Sequence, residues 1–61
     1  MVVQLYSVWD RAAEEFLPVF QAKNDAVALR AFEMHVTRES THPEDLSLWR
    51  VGEFRTDFLR S

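Results

Sequence analysis

Aromatic and arginine side chains alternate over the last third of this 61-residue chain. The groups are Trp49-Arg50, Phe54-Arg55 and Phe58-Leu59-Arg60. Single-stranded nucleic acid is held by such mixtures, because bases stack on rings for about 1–3 kcal/mol each while guanidinium groups contact phosphates. The pattern therefore predicts a nucleic-acid-binding surface. Its expected members are Tyr6, Trp49, Arg50, Arg55 and Arg60, with Tyr6 joining Trp49 if their strands are neighbours. In the alternative, Trp49 and Phe54 belong to the core and the arginines pair with surface acids such as Glu53 and Asp57.

Catalytic and metal-binding constellations are not expected. The chain has no cysteine and a single glycine, and its two histidines, His35 and His42, lie seven residues apart. A nucleophile, a base and an oxyanion donor cannot be assembled from these residues, and a phosphate-binding glycine loop is missing. The acidic pair Glu44-Asp45 follows Pro43, where carboxylates commonly satisfy backbone donors of a tight turn. We therefore predict a nonenzymatic protein without a catalytic residue, metal or cofactor.

Size and composition favour a single domain, residues 1–61, that associates with a second copy. A chain this short buries only about 60% of the surface its unfolded form exposes. Without disulfides or a metal, oligomerisation is the remaining source of stability, and 48% apolar residues supply the surface for it. The formal charge of -3 counts against strong binding to a polyanion.

Targeting signals are not expected either. Residues 1–4 carry no positive charge, and no apolar run approaches the roughly 18 residues of a membrane span. We expect the chain to remain in the compartment where it is made and to have no membrane partner.

The order of elements predicts an α+β fold. Strands are expected at residues 2–9, 16–21 and 46–54, and a helix from the N-cap Asn24 to about residue 39. Pro18 places the second strand on an edge, and Gly52 indicates a bulge or a close backbone approach. Residues 56–59 are expected to form a short fourth strand or an arm that packs on another subunit.

These elements have one economical arrangement. The third strand pairs beside the first, which gives a small antiparallel β-β-α-β sheet in the order 2-1-3 with one helix packed on one face. Leu46 and Leu48 then point to one face of the sheet, and Trp49 and Val51 to the other. Because one helix covers one face only, the opposite face requires a partner.

The helix carries two apolar stripes. The core stripe consists of Ala28, Leu29, Phe32, His35 and Val36. The second, Val27, Ala31 and Met34, lies well over 100° around the helix and is either a subunit interface or scattered surface hydrophobes. The arm at Phe58-Leu59 and the uncovered face of the sheet are two further candidates for the subunit interface.

Several landmarks together resemble the small nonstructural protein of gokushovirus-like microviruses, tailless phages with single-stranded DNA genomes. The matching segments are Trp9-Asp10, Pro18-Val19-Phe20, Ala28-Leu29-Arg30-Ala31-Phe32, Pro43-Glu44-Asp45 with Leu48, and Val51-Gly52-Glu53-Phe54. Members of that family tend to carry an aromatic residue where this chain has Leu46 and an acidic residue where it has Arg55.

The resemblance implies a nonenzymatic phage protein in the cytoplasm of the infected bacterium. Such proteins are described as DNA-binding and are thought to act when replication shifts towards single-stranded genomes for packaging. The expected function is weak binding of single-stranded DNA by a homodimer. The rival is a homodimeric protein-interaction module that contacts a phage or host replication or capsid protein, and the net negative charge favours it.

Overall fold

The fold is a four-stranded antiparallel sheet with one helix, seen in a computed structural model that describes residues 2–39 and 41–57. The elements are β1 (Val2–Asp10), β2 (Glu15–Phe16), β3 (Phe20–Ala22), α1 (Asp25–Glu39), a 3-10 turn (Pro43–Asp45) and β4 (Leu46–Arg55). The long strand β1 is central: β2 and β3 pair along one edge and β4 along the other. The predicted α+β class and the placement of the last strand beside the first are confirmed.

The predicted second strand is two short strands. β2 and β3 are separated by Leu17, Pro18 and Val19, which are not part of the ladder. Proline has no N–H to donate, so the edge is interrupted where the prediction placed a continuous strand over residues 16–21. The Leu17 carbonyl accepts a hydrogen bond from Ser7 Oγ at 2.6 Å, which satisfies a backbone group that the break would otherwise leave without a partner. The edge position of Pro18 is confirmed.

Local side-chain contacts set the turns. Asp10 Oδ1 accepts from the backbone N–H groups of Ala12 and Ala13, and Glu14 adopts a left-handed backbone with φ of 56°, which closes the four-residue loop between β1 and β2. At the start of α1, Asn24 Oδ1 accepts from the Val27 N–H at 3.0 Å, as expected for an N-cap. Asp45 does not cap the turn after Pro43; it binds Arg11 Nη2 at 2.6 Å.

A small cluster anchors the helix to the sheet. Tyr6 is 2% exposed and Ala28 is 0% exposed, and both pack with Ala22, Phe20 and Leu48. Alanine at position 28 lets the helix backbone approach the sheet closely because its side chain is a single methyl group. The Tyr6 hydroxyl donates to Asp25 Oδ1 at 2.5 Å, which ties the central strand to the first turn of α1.

The remainder of α1 is loosely packed. A mostly apolar groove of about 300 Å³ separates its second half from the sheet, lined by Val8, Leu17, Pro18, Phe20, Ala31, Phe32 and His35. The predicted core stripe is therefore only partly correct. Ala28 is buried and Phe32 and Val36 are half-buried, whereas Leu29 and His35 are exposed.

The outer dimensions confirm that the protomer covers itself poorly. The radius of gyration is 13.6 Å, against about 10.5 Å for a compact chain of this length. The contacts of α1 run from Tyr6 to Asp10 on β1, so the part of the sheet that begins at Val2 extends past the helix. Among the described residues only Tyr6, Ser7, Val8, Ala22 and Ala28 are buried.

The Tyr6–Asp25 contact predicts a pH dependence of stability. Burial, the hydrogen bond to Asp25 and the Asp25 charge raise the pKa of Tyr6, partly offset by Arg50. A phenol whose folded pKa is raised stabilises the fold fully below its unfolded pKa of about 10, and this contribution is lost as the pH rises above that value. Because Tyr6 is the only tyrosine, tyrosinate absorbance of the native protein should titrate above the midpoint of the urea-unfolded chain. In Tyr6→Phe the loss of stability above about pH 10 should diminish; identical native and unfolded midpoints would contradict the contact.

Candidate binding face

A bulge in β4 decides which side chains share a face. Leu5 pairs with Gly52 and Tyr6 pairs with Arg50, so Val51 is left without a partner on β1. Paired residues of an antiparallel ladder point to the same side. The extra residue therefore moves Phe54, which pairs with Val3, onto the face that carries Trp49. The bulge, one of the two features predicted from Gly52, is confirmed.

The sheet face opposite α1, called the open face below, carries no charged residue at its paired positions. Tyr6 and Val8 lie on the helix side, and strand alternation assigns their neighbours to the open face. The paired positions of the open face are Val3, Leu5, Ser7, Trp9, Phe16, Gln21, Ser47, Trp49, Gly52 and Phe54. The charged strand residues Asp10, Glu15, Arg50, Glu53 and Arg55 all fall on the helix side.

Three aromatic rings form a continuous cluster at one end of the open face. Phe16 lies between the two indoles, with ring centroids 4.9 Å from Trp9 and 6.3 Å from Trp49. Trp49 Nε1 donates to Ser47 Oγ at 2.9 Å, so the polar atom of this indole is satisfied within the strand. Phe16 remains 50% exposed and Trp49 52% exposed. The rings contact one another in tilted and edge-to-face arrangements, which leaves part of their surface available to another molecule.

The structure separates the predicted nucleic-acid-binding residues. The strands of Tyr6 and Trp49 are neighbours, but Tyr6 lies beneath the helix on the opposite face and cannot stack on a base. Arg50 also lies on the helix side, with Nη1 3.4 Å from Asp25 Oδ1. Arg55 shares that side with Val2. Trp49 alone of the described members is on the open face, and Arg60 lies outside the described residues.

The predicted dimer stripe is also divided. Val27 and Met34 are exposed on the outer surface of α1, whereas Ala31 lines the groove between the helix and the sheet. Arg30, Glu33 and Arg38 surround Met34. Phe58 and Leu59 lie outside the described residues. Thr56 and Asp57 are not in a strand, so the described part of residues 56–59 adds none to the sheet.

Sequence reasoning missed Trp9 and Phe16 as members of the binding surface. The signal was the length of the loop: four residues between Asp10 and Glu15 place Trp9 directly opposite Phe16. Within residues 2–39 and 41–57, no three His, Asp or Glu side chains are grouped as metal ligands would be. In the same part of the chain, no helix is long and apolar enough to cross a membrane.

The fold and the open face define a small α+β protein with an uncovered apolar sheet surface. Residues 3–59 match the family model described as Phage ORF5 protein, and the chain belongs to this family of phage proteins. No curated protein and no solved structure matches the chain significantly.

The aromatic cluster predicts an effect on stability and fluorescence. Phe16→Ala removes the ring that contacts both indoles and should lower the free energy of unfolding by about 1–2 kcal/mol, since the ring is half-buried and its edge contacts add to its burial. Tryptophan emission should shift to the red. Val19→Ala is the control, because Val19 is 57% exposed between β2 and β3 and should change stability by less than about 0.5 kcal/mol. Equal effects of the two substitutions in urea titrations would contradict the cluster.

Proposed function

We propose that this phage protein is a nonenzymatic protein-interaction module that binds an apolar protein surface with its open face. The absence of charge from all ten paired positions of that face carries the proposal. The centres of protein–protein interfaces are depleted in charged residues and enriched in aromatic ones, and Trp and Tyr dominate their binding energy. The open face has this composition, with two Trp and two Phe.

The charge distribution favours protein over DNA as the ligand of this face. Affinity for nucleic acid comes mainly from cations placed at the phosphates. Arg50 and Arg55 are on the other side of the sheet from the rings, and Arg50 is engaged with Asp25. A DNA strand whose bases stack on Trp49 would therefore find no arginine or lysine side chain at the paired positions of the open face. The net charge of -3 adds repulsion.

The biological setting of the proposal comes from the family and from the motifs. Membership of the Phage ORF5 protein family makes this a phage protein. Segments such as Trp9-Asp10 and Val51-Gly52-Glu53-Phe54 support the narrower assignment to gokushovirus-like microviruses. In that setting the protein acts in the cytoplasm of the infected bacterium. Its partners would be a replication protein, a capsid protein or a further copy of itself.

Binding of single-stranded DNA is the second candidate function. Phe16, Trp49 and Phe54 are each about half exposed on one face, as a base-stacking platform requires. In this function the protein would assist the shift to single-stranded genome synthesis or packaging. Base stacking, at about 1–3 kcal/mol per base, would have to supply the affinity, because the paired positions of the open face carry no guanidinium group.

An oligonucleotide titration separates the two functions. We expect neither saturable quenching of tryptophan emission nor a change in the anisotropy of a labelled single-stranded oligonucleotide at low salt, because the open face lacks phosphate-binding cations. Saturable binding would favour DNA if the affinity falls linearly on a log–log salt plot. In that case Arg55→Ala should flatten the slope, with Arg11→Ala as the matched control, since the Arg11 guanidinium is already paired with Asp45.

A further inference from the structure

We propose that the protein surface bound by the open face is the open face of a second copy, in a two-fold symmetric dimer whose sheets pack face to face. The inference rests on the proposed function, since it names the partner of the same surface. Aligned sheets pack about 10 Å apart with interleaved side chains, and the open face supplies such side chains without supplying a layer to cover them.

The surface area of the protomer matches what a dimer would bury. Its accessible surface is 5126 Å², whereas a compact folded chain of 7.2 kDa exposes about 4,100 Å². The excess is about 1,000 Å², and a standard interface removes about 800 Å² from each partner. One contact over the open face is therefore enough to bring the exposed surface into the range of ordinary folded proteins.

Symmetry makes a charge-free surface suited to a self-contact. In a two-fold dimer the same patch occurs on both sides, so every charge in the patch risks meeting its own copy. Each copy carries a formal charge of -3, but the charged strand residues lie on the helix side, away from the contact. A strongly acidic or basic partner protein would find no complementary charge on this face.

The side chains of Ser7 and Trp49 on this face already have hydrogen-bond partners within one copy. Ser7 Oγ donates to the Leu17 carbonyl and Trp49 Nε1 donates to Ser47 Oγ. A partner can cover these groups without leaving a buried donor unpaired, which would otherwise weaken the contact.

Gly52 indicates how the two copies are oriented. Its φ is not in the left-handed region, and a Cβ built on it would have no atom within 4 Å, so neither the backbone nor the packing of the protomer requires glycine. Its pairing with Leu5 places it on the open face, where it contributes no side chain. Leu5 and Trp9 are four residues apart on β1, about 13 Å. A two-fold axis perpendicular to the strands near Ser7 therefore places Gly52 of each copy opposite Ser47 of the other, next to the rings of Trp9 and Trp49.

Sedimentation equilibrium over a micromolar concentration series tests the proposal. We expect the wild-type protein to dimerise and Trp49→Lys to raise the dissociation constant more than about tenfold, since it places a charge at the centre of the contact. Met34→Lys is the matched control: Met34 is equally exposed, at 50%, on the helix, and the variant should dimerise like the wild type. A wild-type monomer, or dissociation by Met34→Lys and not by Trp49→Lys, would overturn the proposal.

Gly52→Leu tests the orientation without disturbing the protomer. A Cβ at position 52 meets no atom of the protomer within 4 Å, and a leucine there adds a side chain where the partner's rings would lie, so the dissociation constant should rise about tenfold or more. An unchanged tyrosinate titration of Tyr6 would show that the helix remains docked. A dimer tightened or unchanged by Gly52→Leu would overturn the proposed arrangement.

The outcomes also separate this inference from the proposed function. If the wild-type protein is a monomer and does not bind single-stranded DNA, the dimer is overturned and a different protein remains as the partner of the open face. A monomer that binds the oligonucleotide with a steep salt dependence overturns both.

Discussion

The structure depends on how little of the sheet a single helix can cover. Ala28 brings the first turns of α1 against Tyr6 and Ala22, but the second half of the helix stands above a groove, and no helix or second sheet among the described residues packs on the other face. A core limited to so few side chains gives a short chain little stability of its own. Folding and association of this protein are therefore expected to be coupled, so that its stability depends on concentration.

The bulge in β4 brings Trp49 and Phe54 together on the open face of the sheet. In a regular strand with Val51 paired, alternation would place Phe54 and Trp49 on opposite faces. Because the bulge leaves Val51 unpaired, both lie on the open face, while Arg50, Glu53 and Arg55 lie on the other. The sheet thus separates apolar side chains from charged ones by face. This separation favours a protein ligand and weakens the case for DNA, although the aromatic–arginine pattern in the sequence first suggested DNA.

Much of the fold could be predicted because local signals specify it. Asn24 caps the helix through its side chain, Pro18 marks the edge because it has no N–H to donate, and Gly52 directly follows the bulge residue Val51. The binding site was harder, since it depends on register. Trp49 and Arg50 are adjacent in sequence, so their side chains point to opposite faces of the sheet. Strand alternation alone could have indicated this. The contact of Trp9 with Phe16 follows from the loop length, whereas the divergence of α1 from the sheet depends on packing that no local pattern encodes.

The most direct test of the central claim, that a second copy covers the open face, is an isotope-filtered nuclear Overhauser experiment on a mixture of labelled and unlabelled protein. The account predicts intermolecular cross-peaks between the indole protons of Trp9 or Trp49 and the Hα atoms of Gly52. Cross-peaks that connect Val27 or Met34 of two copies, or none from the tryptophans at concentrations well above the dissociation constant, would contradict it.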